Sequence, residues 1–159
     1  MIEIPLTQNQ VALIDDEDFE LVSQYKWYAL WSRGVNSFYA ASKVYTQNGK
    51  QSTLLMHRLI MHAQRGQQVD HINHLTLDNR RYQLRLCSSP QNQHNSGKKV
   101  NNTSGYKGVF WDASKSKWIA MIRVHPMRIH LGRYSNPEDA YAAYCAASLQ
   151  HHGQFANFG

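Results

Sequence analysis

The polar side chains between residues 69 and 92 are those whose types and spacing could do chemistry. Asp70 and His71 are adjacent, and Asn92 lies further along the same stretch. A divalent ion held by oxygen ligands can neutralise a phosphate and stabilise a departing alkoxide, while a neutral imidazole takes the proton from an attacking water. Carboxylate and amide oxygens suit Mg²⁺ or Mn²⁺. The stretch predicts metal-assisted hydrolysis of a phosphodiester, with one ion on Asp70 and Asn92 and with His71 as the base.

The backbone must bring two neighbouring side chains, Asp70 and His71, to one site. In a strand over residues 69–72, successive side chains point to opposite faces. Both residues can serve one site only if the strand ends or bulges there. Residues 73–79 are rich in polar, turn-forming types, which predicts that the strand ends.

Several motifs in this stretch carry a family resemblance. After Asp70-His71, they are Leu77-Asp78-Asn79-Arg80-Arg81, Leu84-Arg85-Leu86 and Gln91-Asn92. They resemble the HNH homing endonucleases of phages, which have a ββα-metal core. Positions 71, 83 and 92 are separated by twelve and nine residues, which fits the three signature positions of that family.

The resemblance implies a role for each matching residue. Asp70 and Asn92 are metal ligands and His71 is the general base. The middle signature position, which is Asn in the family, is Gln83 here. In the family this amide braces the loop and helps to orient the base. Gln places the amide one methylene further out than Asn does. Because a shift of about 1 Å can slow a reaction about a hundredfold, we expect weak activity. The DNA backbone near the scissile bond would be gripped by three arginines: Arg80, Arg81 and Arg85.

The net charge of +6 is unevenly distributed along the chain. Residues 1–35 hold six acids and two bases, whereas residues 80–133 hold eleven Lys or Arg and a single acid, Asp112. A basic surface of this density favours a polyanion partner, because displaced counterions drive association with nucleic acid. A merely solvated basic face is the alternative from composition alone, and the interleaved aromatic residues favour nucleic acid.

The cysteine content and the hydropathy pattern bound the class of protein. Cys87 and Cys145 are far apart and have no CxxC spacing, so neither a structural zinc site nor a disulfide is expected. No apolar run approaches the roughly eighteen residues that span a bilayer, and the first residues do not resemble a signal peptide. We therefore expect a cytoplasmic, intracellular protein without membrane contact; a phage origin in a bacterial host is implied by the resemblance only.

The pattern before residue 67 predicts a β-rich region. Its elements are a strand at residues 11–14, a short helix from the acidic residues 15–18 to residue 25, a hairpin of residues 26–30 and 38–45, and a helix over residues 53–62. Trp27 and Tyr39 are expected in the core. His57 is interpreted as structural, with phosphate contact as the alternative.

The nuclease core is predicted over residues 67–95, as strands at 69–72 and 83–87 followed by a helix that carries Asn92. Ser89 and Pro90 are suited to begin that helix. Residues 96–104 are polar and contain glycine, which is typical of a linker. The chain is thus divided into residues 1–95, a linker at 96–104 and a module at 105–159.

The last third predicts three strands and one helix. The strands are residues 106–111, 117–124 and 128–134, and a helix follows, with Asn136 as its N-cap, Pro137 as its first residue and Gly153 at its end. Alanines at helical spacing would let this helix lie close to the sheet.

This module resembles the plant ethylene-response-factor type of DNA-binding domain. The matching motifs include Tyr106-Lys107-Gly108-Val109, Lys117-Trp118-Ile119-Ala120, Leu131-Gly132 and Pro137-Glu138-Asp139-Ala140. In that family the sheet lies in the major groove of double-stranded DNA, a groove that displays the full donor and acceptor code. The residues that match or neighbour DNA-contacting positions are Lys107, Trp118, Arg123, Arg128 and Arg133, with Arg123 the foremost base reader. Trp118 could equally pack under the helix, and Phe110 stands where plant domains usually have Arg, so no sequence preference is carried over.

These patterns together predict an α+β protein: a β-rich region, a ββα-metal HNH core, and a three-stranded antiparallel sheet packed on one helix. The predicted function is that of a monomeric DNA endonuclease, a homing-type nicking enzyme with sequence preference that uses one Mg²⁺ or Mn²⁺. The first alternative is a DNA-binding protein or regulator whose HNH core has decayed, and Gln83 is the residue that keeps this alternative open. A third possibility, an RNA-binding protein, rests only on the basic and aromatic content.

Overall fold

The computed structural model describes residues 1–46, 48–95, 97–98 and 101–159, apart from the side chain of His94. The chain forms two compact units, Met1–Ser88 and Ser89–Gly159. Together they make an α+β protein whose described elements are four α-helices and several small antiparallel sheets. The predicted linker at residues 96–104 includes Ser96, Lys99 and Val100, which lie outside the described residues. No helix in the described part of the chain is long and apolar enough to cross a membrane.

The first unit begins with a two-stranded antiparallel hairpin, β1 (Ile2–Pro5) and β2 (Val11–Ile14). The predicted strand at residues 11–14 is confirmed. Leu13 also pairs outside the hairpin: its N–H donates to the Leu77 carbonyl (2.9 Å), and its own carbonyl accepts from the Asn79 N–H (2.8 Å). The hairpin therefore fastens the loop around residues 77–79. After a short 3₁₀ turn, α1 (Phe19–Ser23) follows.

The next element is a three-stranded sheet of β3 (Tyr28–Ser32), β4 (Ser37–Tyr45) and β5 (Gln51–Leu55). The β3–β4 pair confirms the predicted hairpin. The predicted helix over residues 53–62 is wrong in its first part, because Thr53 pairs with Lys43 as a strand residue, and α2 (Met56–Ile60) begins only after β5. Residues 53–55 form a strand although their apolar spacing favours a helix, because pairing with the edge of β4 satisfies the backbone hydrogen-bonding groups of both strands.

A second hairpin, β6 (Gln68–His71) and β7 (Leu84–Cys87), completes the first unit. The predicted strands at residues 69–72 and 83–87 are confirmed to within a residue at each end. The core of this unit is formed by the residues Ala12, Ile14, Val22, Ala40, Met56, Ile60, Val69 and Leu84. The helix predicted to carry Asn92 is α3 (Ser89–Asn95), and it belongs to the second unit. The grouping of β6, β7 and α3 around one ion stays a prediction.

The second unit contains the predicted module of three strands and one helix. The strands β8 (Val109–Asp112), β9 (Lys117–Val124) and β10 (Met127–Tyr134) form an antiparallel sheet with β9 in the middle. The helix α4 (Pro137–His152) packs on one face of this sheet. Asn136 caps it as expected, since its Oδ1 accepts from the Asp139 N–H (2.8 Å), and Gly153 ends it.

Gly108 marks a close approach of the backbone to α4. Its φ angle is +74°, and a Cβ atom built there would overlap the Tyr144 ring and lie 2.8 Å from the Met121 carbonyl oxygen. Gly105 has a similar φ of +78° but open space around it. The two glycines therefore share a positive φ that would strain a residue with a side chain, and they differ in packing.

We expect Gly108→Ala to lower the free energy of unfolding by about 2–4 kcal/mol, because it adds a steric clash to the cost of a positive φ. Gly105→Ala, the matched control, should cost about 1 kcal/mol, since only the backbone strain remains. Denaturant unfolding measures both values. Equal losses in the two variants would contradict the close contact with Tyr144.

Candidate active site and candidate nucleic-acid interface

His71 ends β6 and is buried, with 5% of its surface exposed. Its Nε2 atom lies 3.3 Å from the Asn79 Oδ1 atom. Burial lowers the pKa of His71, and the hydrogen bond to Asn79 and the charge of Asp70 oppose this effect in part. The fold therefore favours the neutral imidazole, which is the form that can accept a proton.

Two aromatic side chains pack against the His71 ring. The His57 ring meets it edge-on, with 5.0 Å between the ring centres and an angle of 85°. The Tyr39 ring lies 5.3 Å from His57 and 6.0 Å from His71. Burial, with smaller contributions from His71 and Arg58, lowers the pKa of His57 to about 3, so this ring is neutral as well. From the sequence, Tyr39 was predicted to lie in the core and His57 to be structural, but neither residue was predicted to lie beside the candidate base.

The candidate metal ligand Asp70 lies directly across the β6–β7 ladder from Arg85. Its Oδ2 atom accepts from the Arg85 Nε (2.8 Å) and contacts the Arg85 Nη2 (2.6 Å). Both residues are largely buried, so this is a charge-assisted pair with little solvent around it. It fixes the orientation of the carboxylate next to His71.

The other two arginines predicted to grip DNA also pair with carboxylates of the chain. Arg80 binds Asp78 through two nitrogens, at 2.7 and 2.5 Å. Arg81 binds the buried Asp18 (2.6 Å) and the exposed Glu17 (2.8 Å). The contacts of Arg81 join the acidic run near α1 to the segment before β7. Contact of Arg80, Arg81 and Arg85 with DNA stays a prediction, and each of them already serves the fold.

The amide beside the His71 ring belongs to Asn79 rather than to Gln83. Gln83 is buried in a 3₁₀ turn, and its main-chain carbonyl accepts from the Ile72 N–H (2.9 Å). Asn79 is completely buried. Asn79 was included in a motif of the sequence but was assigned no role there. The signal available for such a role was its position: a polar residue in a turn-rich run, between Leu77 and the arginines.

Asn92, the predicted second metal ligand, lies in α3, at the start of the second unit. Asp70 and His71 belong to the first unit. Among the described residues, no group of three or more His, Cys, Asp or Glu is placed to hold a metal ion. The pair of Asp70 and Asn92 as ligands of Mg²⁺ or Mn²⁺ stays a prediction.

The sheet of the second unit has one face turned away from α4. Trp118, Ala120 and Ile122 of β9 pack in the clusters that include α4 residues, so the alternate positions of β9 belong to the other face. Ladder pairs extend this face to neighbouring strands, and its basic members are Lys117, Arg123, Arg128, His130 and Arg133. Asp112 contacts Arg133 at 3.6 Å. We call this set the open sheet face.

Arg123 and Arg128 are direct partners in the β9–β10 ladder, and both are exposed. Like charges directly opposite each other in an antiparallel pair are destabilising. An anion placed between the two guanidinium groups removes that repulsion. The open sheet face therefore has the charge arrangement of a phosphate-binding surface.

Two of the predicted DNA-contacting residues lie elsewhere. Trp118 is on the side of the sheet that faces α4, where its ring packs 5.1 Å from that of Trp111. Lys107 precedes β8, and its Nζ donates to the Asn157 carbonyl (3.0 Å). Burial lowers the pKa of Lys107 to about 8. The structure thus groups Arg123, Arg128 and Arg133 on one face of the sheet and places Trp118 on the other.

Comparison of the chain with protein-family models, curated protein sequences and solved structures finds no match.

The buried His57 makes stability depend on pH. Its folded pKa of about 3 lies below the usual 6.5, so the unfolded chain binds one more proton in the interval between them. This stabilisation is complete above pH 6.5 and is lost as the pH falls towards 3. The slope for one proton is about 1.4 kcal/mol per pH unit.

We expect His57→Phe, which keeps an aromatic ring but cannot titrate, to lose about 1.4 kcal/mol per pH unit of the slope between pH 6 and 4.5. The measurement is the free energy of unfolding from denaturant titrations at several pH values. Above pH 7 the native and variant curves should run parallel. An unchanged slope below pH 6 would show that His57 is protonated in the folded state.

Proposed function

We propose that this chain is a DNA endonuclease of the HNH type, in which His71 is the general base that activates water. The observation that carries the proposal is the environment of His71: a buried imidazole whose pKa is lowered, held by Asn79 and preceded directly in the chain by an oriented carboxylate, Asp70. A neutral imidazole at this position can accept a proton at neutral pH.

The chain's own groups account for the chemical step as follows. His71 takes the proton of a water molecule, and the resulting hydroxide attacks the phosphorus. The bond between the phosphorus and the 3′ oxygen breaks, and the leaving 3′ oxygen takes a proton from solvent water, so that the products are a 5′ phosphate and a 3′ hydroxyl. Asp70 and Asn92 would hold Mg²⁺ or Mn²⁺, and their carboxylate and amide oxygens fit such an ion. When bound, the ion supplies positive charge to the phosphate and to the leaving 3′ oxygen. Arg85 keeps the Asp70 carboxylate in place.

DNA binding in this proposal rests mainly on the open sheet face. Arg123, Arg128 and Arg133 lie together there, while α4 covers the opposite face. A cavity of about 670 Å³ in the same unit is lined in part by Lys98, Lys107, Arg123 and Arg128, and its described lining includes no Asp or Glu. The major groove admits a two-stranded β-ribbon, and basic side chains on such strands fix the register on phosphates. One catalytic site in each chain favours a nick over a double-strand break.

A second candidate function is DNA binding without cleavage, by a protein whose nuclease core has decayed. The specific observation in its favour is that the carboxylate of Asp70 is ion-paired with Arg85, which lowers the charge available to a metal ion. Gln83 at the middle signature position points the same way. Both candidates predict DNA binding, and they differ only in metal-dependent cleavage.

Conversion of supercoiled plasmid to the open-circle form tests the nuclease directly. We expect the native chain to nick plasmid in the presence of Mg²⁺ or Mn²⁺, and His71→Ala to lower the rate at least ~100-fold at equal DNA occupancy, because general base catalysis is lost. His151→Ala, which removes an exposed histidine from α4, is the matched control and should leave the rate unchanged. Binding measurements on the same samples, made with the same ion, give the occupancy.

Equal nicking by the native chain and by His71→Ala would exclude His71 as the base. Tight binding with no nicking by the native chain under any divalent ion, on plasmids that carry varied sequences, would favour the second candidate.

The open sheet face makes a separate prediction about binding. The double variant Arg123→Ala/Arg128→Ala should bind a duplex of about 30 base pairs more weakly, and the slope of log K against log salt should fall by about 1 for each phosphate that the variant no longer neutralises. Arg33→Ala removes an exposed positive charge from the first unit and serves as the control with an unchanged slope. Fluorescence anisotropy at several salt concentrations measures both. Identical slopes for the double variant and the native chain would remove the open sheet face from the DNA interface.

A further inference from the structure

Asn79 presents a fixed hydrogen-bond acceptor to the ring of His71. Its Nδ2 donates to the Leu77 carbonyl (3.2 Å), and its Oδ1 lies 3.3 Å from the His71 Nε2. Since a carbonyl oxygen can only accept, the nitrogen of the amide must face Leu77 and the oxygen must face the imidazole. An oxygen at this position accepts a hydrogen from Nε2 and cannot donate one.

We infer that Asn79 is the positioning residue of the candidate base: it holds His71 as the Nε2–H tautomer and so leaves Nδ1 as the ring atom that takes the proton. The inference rests on the proposed function for its catalytic meaning. It assigns to Asn79 the task that the family resemblance gave to the amide at position 83.

The loop that carries Asn79 is anchored from two sides. Leu13 of β2 donates to the Leu77 carbonyl and accepts from the Asn79 N–H. The Thr76 hydroxyl donates to the Phe38 carbonyl (2.6 Å) and lies 2.8 Å from the Ser37 hydroxyl oxygen. These bonds tie the loop to the N-terminal hairpin and to β4. The amide of Asn79 is therefore held by backbone that cannot move without breaking both attachments.

The imidazole itself has little room to turn away from Asn79. Its ring packs edge-on against His57 and lies beside Tyr39, and 5% of the residue is exposed. The acceptor beside Nε2 sets the tautomer, and the neighbouring rings of His57 and Tyr39 set the direction of Nδ1. Orientation of this kind is what a third residue provides to a general base in other hydrolytic sites.

The ring nitrogens of His71 can be observed without DNA, metal or cleavage. Protonated and unprotonated ring nitrogens have widely separated ¹⁵N shifts, and long-range ¹H–¹⁵N correlation spectra of protein labelled at histidine show which nitrogen carries the hydrogen. His71→Gln identifies the signals of this ring. We expect the native protein at pH 7.5 to show the Nε2–H pattern with Nδ1 unprotonated. The Nδ1–H pattern in the native protein would overturn the inference without any variant of Asn79.

Two substitutions at position 79 then test the positioning role. Asn79→Asp keeps an acceptor for Nε2–H and should preserve the tautomer. Asn79→Leu is similar in size but has no acceptor, and it should give mixed tautomers and a plasmid nicking rate lower by about 10- to 100-fold at saturating DNA, with unchanged DNA affinity. A His71 spectrum in Asn79→Leu identical to the native one would overturn the inference.

The two readouts separate this inference from the proposed function. If the spectra change as expected but no plasmid is nicked by any form of the chain, Asn79 holds the tautomer and the nuclease proposal fails. If the native chain nicks plasmid and His71 has the same tautomer in all three forms, the nuclease stands and the role of Asn79 fails.

Discussion

The contact between the imidazole of His71 and the amide of Asn79 is the interaction on which the arrangement of the candidate site depends. The ring is buried, so its charged form is disfavoured, and the amide supplies a directed contact that sets its orientation. The amide can do this only because β2 holds the loop through both backbone groups of Leu13. The N-terminal hairpin thus supports the candidate site through its backbone.

Burial of charged carboxylates costs free energy, and in the first unit this cost is offset by ion pairs with arginines. Asp18, Asp70 and Asp78 are each buried, and each is bound to an arginine. An unpaired buried carboxylate would cost several kcal/mol, whereas a pair satisfied by well-placed nitrogens recovers most of that energy. One of the pairs, Asp18 near α1 with Arg81 before β7, connects elements that are distant in sequence. These arginines therefore stabilise the fold whether or not they also meet phosphate.

The sequence predicted most of the elements, because local patterns decide them. The hairpin of β3 and β4, the strands β6 and β7, and the module of three strands with α4 were all indicated by β-prone runs, turn residues and the cap at Asn136. The strand β5 was missed because pairing with β4 depends on tertiary context, which outweighs helical spacing. The role of Asn79 was missed for a similar reason: its hydrogen-bond partner is eight residues away, and burial of both depends on Leu13. Trp118 could be assigned to a face only once the register of the sheet was known.

Two ladders of this chain illustrate the difference between a charge that serves the fold and one that points to a partner. In the β6–β7 ladder, Asp70 stands opposite Arg85, and the two charges satisfy each other inside the protein. In the β9–β10 ladder, Arg123 stands opposite Arg128, and the same geometry now opposes two positive charges on an exposed surface. A like-charge pair weakens the isolated sheet. Phosphate bound between the two guanidiniums would turn that repulsion into a source of affinity, since each arginine can donate two hydrogen bonds to its oxygens. The first pair is therefore satisfied within the chain, whereas in the second pair the two charges repel each other unless an anion is bound between them.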